Sequence, residues 1–160
     1  MLESHTAPRG TFPAFSVHVE RLEELPAQLR PSTPRFVLLV AADTRLVDYE
    51  ALVDWAREVL NRGATYVCCW GPDAERLEAS FDWARLQREN FERTGRVIMT
   101  TSHDGESLTE AAWFALHVAF PDDGWAEGTG TTILATVANQ SWSSEIRSYL
   151  NSGAPAPSAA

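Results

Sequence analysis

Hydrophobic and polar positions alternate in blocks along this chain. Four short apolar runs each end on polar residues: Phe36 to Ala42 runs into Asp43, Thr65 to Cys69 into Trp70-Gly71-Pro72-Asp73, Val97 to Thr100 into Thr101-Ser102-His103-Asp104, and Ile133 to Ala138 into Asn139. Such runs are short enough for buried strands. A stretch of helical periodicity follows each one. Tyr49, Leu52, Val53, Ala56, Val59 and Leu60 share one face of a helix that Asp48 caps and Gly63 ends. Leu77, Phe81, Ala84 and Phe91 do the same for a second helix, expected from Asp73 as its cap to about Arg93. Ser107 and Glu110 form a capping box before a third, Ala111 to Phe120, which is apolar almost all round and therefore expected to be the most buried. Pro121 would stop it. A last helix is expected over about Trp142 to Leu150.

Strands alternating with helices of this length predict a parallel sheet with right-handed crossovers. The expected fold is α/β: a three-layer Rossmann-like or flavodoxin-like domain with a mainly parallel sheet of 4–5 strands. Phe15 to Val19 adds a short strand, and Pro26 is expected to limit the helical piece that follows it. Residues 1–13, rich in Pro, Thr and Gly, read as a flexible arm, residues 14–150 as one domain and residues 151–160 as a disordered tail.

Composition narrows the classes. The formal net charge is −9, with no basic stripe, which disfavours nucleic acid as a partner. Every cationic side chain other than histidine is Arg, so a phosphate-loop lysine and a Schiff-base lysine are both excluded. The longest apolar stretch, Ala111 to Phe120, is too short to span a membrane. The N-terminus shows no basic region followed by an apolar one, so the cytoplasm is the expected location. Cys68 and Cys69 are neighbours and point to opposite faces of a strand, which sets them apart as packing residues.

In an open parallel sheet the polar strand ends fall on one edge, where such folds bind ligands. Asp43, Trp70, Gly71, Ser102, His103, Asp104 and Asn139 are the candidate ligand-binding residues there. Gly71 permits a tight turn and the helix behind it offers free N–H groups to an anion. Trp70 offers a flat face to a base or sugar. A histidine such as His103 can serve as acid, base or ligand. The first reading is binding of a small anionic or nucleotide-like ligand without evident catalysis; no cofactor or catalytic set is indicated. The alternative is a protein-interaction or regulatory module, or a self-associating one, that uses Trp55 and Trp83, which lie off the inward stripes of their helices. A third is a metal-assisted hydrolase using Asp43, His103 and Asp104, although no zinc-type spacing of His and Cys is present and no metal ligand set is assigned.

The segments Tyr66 to Arg76 and Met99 to Leu108, continued by Glu110 to Phe114 and Phe120-Pro121, resemble an uncharacterised family of small bacterial proteins carrying a domain of unknown function. The likeness spans about residues 35 to 150. The resemblance implies a bacterial source and a single domain, is compatible with service beside a larger defence or stress system, and carries over no reaction or site.

Overall fold

The computed structural model describes residues 1–6, 11–87 and 97–157. Six strands form one sheet: β1 (Glu3–His5), β2 (Ala14–Val19), β3 (Arg35–Ala41), β4 (Ala64–Trp70), β5 (Met99–Ser102) and β6 (Thr129–Val137). Their spatial order is β1-β2-β6-β3-β4-β5. All neighbours run parallel except β1, which pairs antiparallel with β2. The helices are α1 (Leu25–Gln28, after a 3₁₀ turn at Leu22–Glu24), α2 (Tyr49–Asn61), α3 (Ala74–Leu86), α4 (Leu108–His117), α5 (Asp123–Ala126) and α6 (Gln140–Asn151). The chain is therefore a mixed α/β domain with a mostly parallel sheet.

Strand β3 shows how the sequence builds the interior. Its run from Phe36 to Ala41 is buried without interruption, as a central parallel strand requires. Alternate residues face opposite ways. Leu38 and Val40 join an apolar cluster with Leu52, Ala56 and Val59 of α2 and Leu77 and Phe81 of α3. Val37, Leu39 and Ala41 join another, with Leu108, Ala112 and Ala115 of α4 and Ile146 and Tyr149 of α6. Cys68 lies in the second cluster and Cys69 in the first.

Several expectations change. The sheet has six strands instead of four or five, because residues 3–5 of the expected arm pair with β2. His5 anchors them, bonding Ser16 Oγ at 2.8 Å and Asn151 Oδ1 at 3.1 Å. Residues 7–10 and 158–160, and the expected continuation of the second helix to Arg93, lie outside the described residues. Part of the expected tail is engaged by the domain: Ala154 is buried and the Tyr149 hydroxyl donates to the Pro155 carbonyl at 2.8 Å. Pro26 begins a helix instead of ending one, since the first turn needs no N–H from it. Helix α4 starts at Leu108 on its capping box but ends at His117, and Val118 and Phe120 are exposed. Only its Leu108, Ala111, Ala112, Ala115 and Leu116 are buried; Trp113 and Phe114 are half-buried. The small alanines face the sheet and the rings splay to the sides.

Candidate functional site

The polar strand ends do fall on one edge. Ala42 N donates to Trp70 O, and His103 N donates to Cys69 O, so the chain leaves β3, β4 and β5 side by side. Gly71 makes this possible. Its φ is +128°, and a Cβ there would lie 2.2 Å from the Ala42 carbonyl oxygen.

Within this edge the side chains bind one another. The Asn139 side chain caps α6 by accepting from Trp142 N at 3.1 Å. The Trp142 ring meets the Trp70 ring edge-on, centroids 5.1 Å apart. Trp70 Nε1 donates to the Glu106 carbonyl at 2.9 Å. The Glu106 carboxylate accepts from His103 Nδ1 at 2.7 Å, and His103 Nε2 bonds Thr101 Oγ1 at 2.9 Å. The His103 ring, 4% exposed, lies edge-on to Phe114 at 4.7 Å. These contacts form a continuous strut from α6 across β4 to β5 and α4. It joins Asn139, Trp70 and His103, as a shared site requires, but both nitrogens of His103 and the indole N–H of Trp70 already have protein partners. Ser102 pairs in register with Cys69, and Asp104 is exposed in the following turn.

Asp43 stands outside the strut. Its carboxylate accepts two bonds from Arg45, at 2.9 and 2.8 Å, and one from Arg45 N at 3.2 Å. The hydrogen bond to the guanidinium holds its carboxyl below the usual carboxylate range. Among the described residues no three His, Cys, Asp or Glu side chains gather as a metal site would need.

Asp73 occupies the cap position of α3 but makes no side-chain capping bond. Its backbone is left-handed, φ 55° and ψ 49°, where a capping residue needs an extended backbone to aim its oxygen at the first-turn amides. Arg76, one turn in and half-buried, turns its guanidinium to backbone carbonyls instead of toward the sheet edge. It donates to the carbonyls of Thr44 and Val47, at 2.5 and 2.6 Å, and lies over the Tyr49 ring. It thereby closes the loop between β3 and α2. The strut also uses Glu106, Thr101, Phe114 and Trp142, which lie outside the expected ligand-binding set. Their signals in sequence, an acid three residues after His103 and a Trp three after Asn139, are common spacings without specificity.

The two candidate interface tryptophans part company. Trp55 is buried, 7% exposed, and stays within the domain. Its indole donates to the Leu22 carbonyl at 2.8 Å and its ring meets Phe81 at 5.5 Å. Its place off the α2 stripe reflects the 3₁₀ turn packed beside the helix, so it offers nothing to a partner. Trp83 is 54% exposed, with Leu86 near it on α3 at 55%. Trp83 borders an open groove between α2 and α3 of about 410 Å³, whose other wall includes Tyr49, Glu50, Val53 and Asp54. Arg57 crosses it, bonding Asp54 at 2.8 Å and Gln87.

No helix among the described residues is long and apolar enough to cross a membrane. The mixed α/β fold and this sheet edge thus define the class only broadly. Residues 15–152 match the model of the family described as "Domain of unknown function (DUF7684)", and the chain belongs to that family. No curated protein and no solved structure matches it.

Proposed function

We propose that this chain is a protein-binding module that engages a partner through the groove between α2 and α3. The observation that carries this reading is the exposure of Trp83 on the rim of a groove. Tryptophan is among the residues that contribute most at interfaces, where a large ring fills a partner's surface at small entropic cost. On the same reading the domain is three-layered, of the Rossmann-like or flavodoxin-like kind, a reading that the two apolar clusters either side of β3 support. The sheet edge then serves as a brace that fixes the helices. Binding of a small anionic ligand there has less behind it, because its principal donors are spent on protein partners.

The test is a photo-crosslinking residue placed at Trp83 and, separately, at Ser144 on the exposed side of α6. A discrete protein adduct from position 83 and none from position 144 is the expected result. No adduct from 83, or equal adducts from both, overturns the reading. So does a small anionic ligand retained by the natively purified protein and lost on replacing Trp70.

A further inference from the structure

We propose that the partner segment received by this groove is a basic amphipathic helix. The inference rests on the protein-binding reading above and adds the chemistry of the partner. Helix α2 carries Glu50, Asp54 and Glu58 at four-residue steps, so the three carboxylates line one side of the helix. All three are exposed. The base among them, Arg57, is already bonded to Asp54 and, across the groove, to Gln87. No described residue pairs with Glu50 or Glu58.

The imbalance extends to the neighbouring helix. Helices α2 and α3 carry six carboxylates against three arginines, whereas α4 and α6 hold only Glu110, Glu145 and Arg147. The other two arginines of the acidic pair are also engaged. Arg76 holds the carbonyls of residues 44 and 47, and Arg85 lies 3.5 Å from Asp82 and donates to the Ile98 carbonyl. At the groove itself the carboxylates of Glu50 and Asp54 stand beside Val53 and the exposed rim ring of Trp83, with Arg57 the one cation in the lining. Trp83 adds a ring face, which attracts a guanidinium or ammonium group.

A groove between two parallel ridges of side chains suits a helix with apolar anchors three and four residues apart. Cationic residues beside those anchors meet Glu50 and Glu58. A second copy of this chain is the poorer occupant. It brings the same acidic rim, a net charge of −9 and no lysine.

Two labelled helical peptides of about 18 residues test this, sharing one Leu pattern and carrying either Arg or Glu at the flanking positions. Fluorescence anisotropy against the full chain is the measurement. The Arg peptide is expected to bind at least about tenfold tighter at low salt, with the preference fading near half-molar salt. Glu50→Gln/Glu58→Gln is expected to cut that preference severalfold, and Trp83→Ser to weaken the Arg peptide. These positions are exposed, and an unchanged unfolding curve confirms that each variant is folded. Equal binding of both peptides, still sensitive to Trp83→Ser, overturns the basic partner and leaves the groove in place. Binding that ignores Trp83→Ser, or no binding by either peptide, overturns the groove itself. A concentration-dependent dimer lost on Trp83→Ser assigns the surface to a second copy and likewise overturns the proposal.

Discussion

Asp73 shows what a single backbone angle does to a residue's job. A non-glycine residue in the left-handed region is strained, and this one gains no capping bond in return. Asp73→Gly is therefore expected to leave stability intact or raise it by up to about 1 kcal/mol, since glycine adopts that angle freely. A loss beyond that in equilibrium urea unfolding would show that the carboxylate has a role at this corner. His103 is the opposite case. It is buried, bonded at both nitrogens and set edge-on against Phe114. His103→Ala leaves Thr101 and Glu106 without their partner and opens a void, so it is expected to cost about 2–4 kcal/mol. A change under about 1 kcal/mol would mean that the strut it belongs to contributes little to folding.

At the scale of elements, the parts readable in sequence are those whose causes are local. Asp48 caps α2 by accepting from Ala51 N, and Ser107 and Glu110 form the full reciprocal box of α4. Ser107→Ala is expected to cost about 1 kcal/mol in thermal or urea unfolding, the usual value of a lost cap. The uninterrupted apolar run of β3 likewise announced a central strand. What stayed illegible depends on partners distant in the chain. Strand β1 exists because of Ser16 and Asn151, the second of them 146 residues from His5. Trp55 looked free for a partner because a helical wheel takes no account of Leu22, whose carbonyl receives its indole. Asn139 spends its side chain as the cap of α6, a role for which Asn is favoured but which the strand end before it does not announce. The candidate site divided the same way. Sequence placed Trp70 and His103 on a common edge, but the bonds that occupy them come from Glu106 and Thr101 and depend on side-chain direction.

Over the whole molecule, each strand end, cap and loop serves two apolar clusters that share one sheet. The adjacent cysteines sample both. Cys68 faces the α4 and α6 side, where burial pushes its thiol up to about 12, and Cys69 faces the α2 and α3 side, where burial likewise pushes its thiol well above the usual range. Neither forms a reactive thiolate while the domain is closed. Labelling by a thiol-reactive disulfide at pH 8 is therefore expected to be no faster than opening of the structure, and to speed up sharply in urea. Since β3 and β4 supply both clusters with alternate residues, the two thiols are expected to react at one common rate. Two separate rates would show that one helical flank lifts off the sheet while the other stays docked. The doublet thus amounts to a natural pair of stopwatches, one on each side of the same strand, for timing whether this protein comes apart in one movement or two.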